Sequence, residues 1–396
     1  MVRNLKPRRE ACRTRGSAMR VLVTTDSAGG VWAYTEELVD ALAALGHETT
    51  LVALGPEPGP VQREWLGARP DLDFIALNAP LEWYPDPEPG LTESLDLLRA
   101  LVAARRPDVV HLNQFFYGAF DLGAPKLVVG HSDVVSWWRA ARRQDPPDDA
   151  WHRRYRAWVR AGLAGAQVVV APSCWMAEQL RREYGLGSVR VIHNARSAAR
   201  FRFRRRSRRE RIVVAAGRLW DEGKGVADLV GAAGMLGGDI QVVLAGPEAS
   251  PSGRERFPVR APGIRWAGVL GPSDLRRLLA RAAVYAATSR YEPFGLAPLE
   301  AALAGCALVL ADIPTYRELW DGCGEFYPPG DAAALADAIR GLMDSDGRRR
   351  ALADAARSRA AERFSPERMA RQYEILYREL ATAPAAEPRV AAHPRS

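Results

Sequence analysis

From Met19 onward the chain alternates short β-branched and aliphatic runs with longer stretches of helical period. Residues 21–25 read as a first strand, followed by Gly29-Gly30 and a helix over 34–45 that Gly46 ends. Further strands are expected at 49–54, 74–77, 109–112, 127–129, 168–171 and 189–193. An arginine-rich stretch then interrupts the pattern. It restarts with a strand at 212–216, a helix at 225–236, and strands at 240–245, 264–266, 284–287 and 307–311. Strand–helix alternation of this kind makes a parallel sheet covered on both faces. No apolar run approaches the ~20 residues needed to cross a bilayer.

Two such series, each about 170 residues long, argue for an α/β chain of two Rossmann-like lobes facing across a cleft, with ligands at the carboxyl ends of the strands. The expected boundaries are 19–195 for the first lobe, taken as the acceptor side, and 212–364 for the second, taken as the donor side. Residues 196–211 form an arginine-rich segment between them. A final helix spans 365–381 and is a candidate to cross back to the first lobe. Residues 382–396, with Pro384, Pro388 and Pro394, read as a disordered tail. Residues 1–18 are basic but lack the apolar stretch of a secretory signal. The fold is expected to begin at Met19, with translation starting there or the extension disordered.

The charge changes this picture only locally. The formal net charge is +8, but residues 1–18 carry +5 and residues 200–211 carry +7, so the remainder is mildly acidic. That argues against a nucleic-acid partner. Cys12, Cys174, Cys306 and Cys323 show no paired spacing, which fits a reduced, cytoplasmic chain without a zinc site.

Three loops after strands carry candidate chemistry. Gly29 and Gly30 let backbone N–H groups approach an anionic or sugar ligand at a helix start, or make a plain tight turn. The loop from Gly217 to Gly225 presents Arg218 and Lys224, suited to a diphosphate, although a solvated loop has the same composition. Lysine is rare here: only Lys6, Lys126 and Lys224 stand among 55 basic residues. A compact point charge where arginine is otherwise favoured points to a specific use. In the third loop Glu292 precedes a helix expected to run from about Leu296 to Gly305, and Glu300 lies in its first turns. Two carboxylates beside exposed helix N–H groups can hold hydroxyls while the N–H groups take a phosphate, or can simply cap the helix.

The third loop resembles the E-x7-E signature of glycosyltransferase family 4, the retaining GT-B glycosyltransferases related to glycogen and sucrose-phosphate synthases. The resemblance runs from Met19 to about Leu380 and includes Gly29-Gly30, the segment ending His193-Asn194, and Gly217-Arg218 with Lys224-Gly225. It implies that Arg218 and Lys224 bind the donor diphosphate and stabilise its departure, and that Glu300 holds the ribose. It further implies that Glu292 contacts the donor sugar at the reacting carbon, that Phe294, Gly295 and Leu296 offer backbone donors, and that His131 touches the donor sugar. Ala195 stands where the family commonly has glycine. The expected activity is a metal-independent, retaining transfer of a hexosyl group from a nucleoside-diphosphate sugar to a saccharide, lipid-linked saccharide or natural-product hydroxyl, with no cofactor. The rival readings are a nucleotide-sugar epimerase on the same fold and a basic membrane- or nucleic-acid-binding module.

Two features stay open. Trp137, Trp138, Trp151 and Trp158 lie among Arg139, Arg142, Arg143, Arg153, Arg154 and Arg156, fit to stack on a sugar, to touch an anionic membrane at its inner face, or to pack a helix. The run from Arg200 to Arg211 reads as a solvated loop or as a patch for anionic lipid head groups.

Overall fold

Residues buried on both faces of a sheet must be apolar at consecutive positions, and the short runs Val-Val-His-Leu and Ala-Leu-Val-Leu-Ala form such strands. The computed structural model describes residues 18–27, 29–201, 209–250, 253–257 and 261–383. The expectations for most of 1–18, for 202–208 and for 384–396 lie outside these.

Two units are present. The first contains β1 (Arg20–Asp26), β2 (Glu48–Leu54), β3 (Asp73–Ala76), β4 (Val109–Leu112), β5 (Lys126–Val129), β6 (Val168–Ala171) and β7 (Arg190–Val191), ordered β3-β2-β1-β4-β5-β6-β7. The second contains β8 (Glu210–Ala216), β9 (Gln241–Ala245), β10 (Ile264–Trp266), β11 (Ala282–Ala287), β12 (Ala307–Ala311) and β13 (Gly324–Tyr327), ordered β10-β9-β8-β11-β12-β13. Every neighbouring pair is parallel. In both sheets the strand order reverses beside the first strand, between β1 and β4 and between β8 and β11. Loops leaving those strands diverge, which opens space for a ligand at the strand ends.

The pattern of apolar positions missed β13, whose Gly-Glu-Phe-Tyr sequence contains no aliphatic run. It also left out the helices Gly90–Arg105, Cys174–Tyr184, Pro272–Arg281, Ala332–Asp344 and Asp346–Arg363. The first helix starts at Gly30 rather than 34, and the helix after β8 is Val226–Ala233, ending earlier than 236.

The first unit takes in the described residues up to Val135, Pro146–Ile192 and everything described from Pro366; the second takes Ser136–Asp145 and His193–Ser365. Ser136–Asp145, expected in the first lobe, thus groups with the second unit. The helix Pro366–Thr382 buries Tyr373 and Tyr377 in the first.

There Tyr377 Oη lies 2.7 Å from His111 Nδ1, and His111 Nε2 lies 3.2 Å from Tyr34 Oη. Burial, aided by the neighbouring His131, pushes His111 down to about 3, so its ring is neutral in the fold. Unfolded, the same ring titrates near 6.5. Its native pKa is depressed, so the unfolded state binds the extra proton. Stability is then complete above about pH 6.5 and falls as pH drops toward 3, by up to about 1.4 kcal/mol per pH unit for this group. Thermal unfolding at pH 7.5 and pH 5 should show a clear loss, and His111→Gln should show a smaller one. Equal losses in the two proteins would exclude His111 as a source.

Candidate functional site

The site is built on β8 and β11, where the second sheet reverses. Gly217 to Gly225 leave β8; Thr288 to Gly295 leave β11 and lead into the helix Leu296–Ala304. The two loops are bonded into one body. Thr288 Oγ1 donates to the Lys224 carbonyl at 2.8 Å, and the Arg290 and Tyr291 amides donate to the Gly223 carbonyl at 2.8 and 3.2 Å. Across this seam Lys224 Nζ donates to Glu292 Oε2 at 2.7 Å, with the two side chains only 24% and 14% exposed. A cavity of about 30 Å³ opens beside the pair, lined by Gly217, Lys224, Ser289, Glu292, Ala297 and Tyr316 among others. It is large enough to admit a water molecule. Burial, with Glu292 adding to it, holds the Tyr316 phenol well above its usual value, so it stays a neutral donor.

Arg218 lies at the outer side of the loop, half exposed, and gives one N–H to Asp221 Oδ2 at 2.8 Å. Asp221 is buried. Its Oδ1 accepts the Gly223 amide at 2.9 Å and Trp137 Nε1 at 3.1 Å. Arg142 forks onto the neighbouring Glu222 at 2.8 and 2.9 Å.

The helix Leu296–Ala304 begins where the sequence places it, because Gly295 has φ +92°, a conformation side chains disfavour. Its last turn ends at Gly305, φ +84°. The Phe294 side chain is core, edge-on to Phe364 at 5.3 Å, which leaves only its backbone to face a ligand. Leu296 is partly buried against the same core. Glu300 is paired with Arg196, whose Nε reaches its Oε1 at 2.7 Å. The second bond from Arg196 falls on that same oxygen. Oε2 therefore keeps its acceptor capacity. Among the described residues no group of three or more His, Cys, Asp or Glu side chains is placed to hold a metal ion.

In the first unit Gly29 and Gly30 are exposed after β1, at the start of the helix Gly30–Ala44. His131, after β5, stands against the Tyr34 ring at 4.5 Å with Nε2 2.8 Å from Asn113 Oδ1. The Asn113 amide nitrogen donates to the Thr24 carbonyl at 2.6 Å, so its oxygen is the acceptor and His131 Nε2 carries the proton. Burial pushes His131 down to about 3. It is a neutral ring with Nδ1 as hydrogen-bond acceptor, not a cation.

The tryptophan cluster separates. Trp151 stacks on Tyr155, and Trp158 stands edge-on to Phe116 with Arg154 over its ring, which is packing. Trp137 and Trp138 instead pack with Arg142 against the loop that carries Arg218. The lipid-patch reading of the arginine run fails for its two described members nearest β8. Arg209 donates to the carbonyls of Leu279, Ala280 and Ala304, and Arg211 pairs with Asp239 and Asp344. Sequence reading also missed Asp221, Arg196 and Asn113. Asp221 was signalled by its place three residues after Arg218; nothing local marked Arg196, 104 positions before Glu300.

Comparison with known proteins follows these residues. A family model described as Glycosyltransferase Family 4 matches residues 28–200, and one described as Glycosyl transferases group 1 matches residues 210–345. Glycogen synthase of Mycobacterium tuberculosis is 27% identical over 367 residues, covering 85% of this chain and 87% of that protein. Among solved structures, sucrose-phosphate synthase from Thermosynechococcus elongatus superposes with a TM-score of 0.72 at 22% identity, covering 91% of this chain and 99% of that one. Anabaena Alr3699/HepE in complex with UDP and glucose gives 0.72 at 17% identity, covering 91% and 100%. The epimerase and binding-module readings find no support among them.

The Arg196–Glu300 pair makes a stability prediction. Its side chains are 11% and 13% exposed, so removing one partner strands a nearly buried charge. Arg196→Met should destabilise by about 3 kcal/mol, and adding Glu300→Gln should recover most of it. Additive losses in denaturant unfolding would mean the pair is not coupled.

Proposed function

Because the chain belongs to glycosyltransferase family 4, we propose that its second unit binds a nucleoside-diphosphate hexose and releases the hexosyl group to an acceptor hydroxyl with retention at the anomeric carbon. That it is a glycosyltransferase acting on a nucleotide sugar follows from the family. The proposal concerns which residues act and how. The observation that carries it is the Lys224–Glu292 pair beside the small cavity at the sheet's point of reversal.

In this reading Arg218, Lys224 and the first N–H groups of the helix Leu296–Ala304 take the diphosphate. As the bond between the anomeric carbon and the phosphate oxygen breaks, its electron pair leaves with the diphosphate, and the same cations stabilise the growing negative charge. Positive charge grows on the sugar, and this reading assigns Glu292 to stabilise it. The acceptor oxygen then bonds to the anomeric carbon and passes its proton to the departing diphosphate oxygen, which took the electron pair of the broken bond. Glu300 Oε2 takes the ribose hydroxyls. In the first unit, neutral His131 is an acceptor suited to a sugar hydroxyl through Nδ1, and Gly29 and Gly30 offer backbone N–H groups suited to an anionic or sugar ligand. A cytoplasmic location belongs to the proposal and is supported by the buried thiols of Cys306 and Cys323, which form no disulfide.

A thermal-shift screen against UDP, GDP, ADP and TDP tests donor binding, since a ligand of the folded state raises the melting temperature. UDP and glucose, named for the Anabaena structure, put UDP-glucose first among donors to assay. A flat response to all four nucleotides would overturn the reading.

Two cations and a helix N-terminus already offset the diphosphate, so EDTA should leave turnover unchanged. Loss in EDTA that manganese restores would contradict this. The two glutamates should separate. Glu292→Gln frees Lys224 and should keep nucleoside-diphosphate affinity while turnover falls by roughly 10²–10³. Glu300→Gln should mainly raise the donor KM and weaken nucleotide binding. Normal turnover in Glu292→Gln with unchanged nucleotide affinity in Glu300→Gln would remove both assignments.

A further inference from the structure

A strap of ten residues, Ser136–Asp145, is gathered into the second unit. It touches both loops of the site. Ser136 Oγ lies 3.4 Å from Tyr291 Oη, on the E-x7-E side. Trp137 Nε1 donates to Asp221 Oδ1 at 3.1 Å, and Arg142 forks onto Glu222 while lying over the Trp137 and Trp138 rings at 5.4 and 4.3 Å. The fit is tight. A Cβ on Gly223 would stand 2.7 Å from Trp137 Nε1 and 3.1 Å from Asp221 Oδ1, so the loop reserves that space for the indole.

We infer that Trp137 is a positioning residue for diphosphate binding: its indole N–H fixes the Asp221 carboxylate, which in turn aims Arg218. Asp221 is buried and uses one oxygen for Trp137 and Gly223 and the other for Arg218. A carboxylate held by two donors on one side cannot rotate without losing them, so its other oxygen gives the half-exposed Arg218 a fixed anchor. Trp137 never meets the ligand; it acts through Asp221. This rests on the reading of Arg218 as a diphosphate ligand.

The test is a double-mutant cycle of Trp137→Phe and Arg218→Gln. Binding is titrated with whichever of UDP, GDP, ADP and TDP gives the largest thermal shift, and with its parent nucleoside. Phe keeps most of the ring and removes the N–H. The single variant Trp137→Phe should bind the diphosphate roughly tenfold more weakly, as expected for one hydrogen bond to a charged group. It should bind the nucleoside as the wild type does, and it should add no loss in the Arg218→Gln background. Unchanged diphosphate affinity in Trp137→Phe, beside a loss in Arg218→Gln, overturns the inference alone. Equal loss of nucleoside and diphosphate also overturns it, since that marks a merely structural role. No loss in Arg218→Gln overturns the site reading beneath it. Should Trp137→Phe not fold, Gly223→Ala, which crowds the same contact from the loop side, carries the cycle with the same outcomes.

Discussion

A lysine and a glutamate brought together at the ends of two adjacent strands govern the second unit. Burying an ammonium group is expensive unless a counter-charge accompanies it, and Glu292 supplies one to Lys224 at 2.7 Å. The pairing joins the loop after β8 to the loop after β11, and the backbone bonds through Gly223 and Thr288 make the same join beside it. The Lys224–Glu292 pair is thereby neutral as a unit. In the proposed reading, a diphosphate arriving there shares Lys224 with Glu292, with the carboxylate toward the sugar and the cation toward the leaving group. One contact therefore ties the two loops together.

The two sheets share a strand order but not a chemistry. In the second, the reversal point carries cations, carboxylates and a helix N-terminus. In the first, exposed glycines follow β1, and a neutral set gathers at β4 and β5: His111 within β4, Asn113 just after it and His131 after β5, the two rings kept uncharged by burial. Neutral acceptors suit hydroxyl groups; paired cations suit phosphates. This division of labour follows from which side chains are desolvated and which are paired.

The strand ladder was legible because parallel strands must be apolar at consecutive positions, and the helix at Leu296 was legible because Pro298 and Gly305 bracket it. β13 was not, because Gly324, Glu325, Phe326 and Tyr327 present no such run. Arg218, Lys224, Glu292 and Glu300 stood out through spacing. Their partners stood out less, because an ion pair such as Arg196–Glu300 is set by tertiary distance and leaves no local trace. Trp137 shows the same limit from the other side. Its composition left open a sugar face, a membrane face or helix packing, whereas its bond to Asp221 packs it against the loop after β8.

In the proposed reading Lys224 is held by Glu292 where it meets a diphosphate. Equilibrium titration of the free nucleoside diphosphate into wild type and Lys224→Met tests it most directly. The variant should bind the diphosphate at least about tenfold more weakly, the size of one charge-assisted hydrogen bond, with binding of the parent nucleoside unchanged. Equal affinity for the diphosphate in both proteins, with the variant folded, would contradict it.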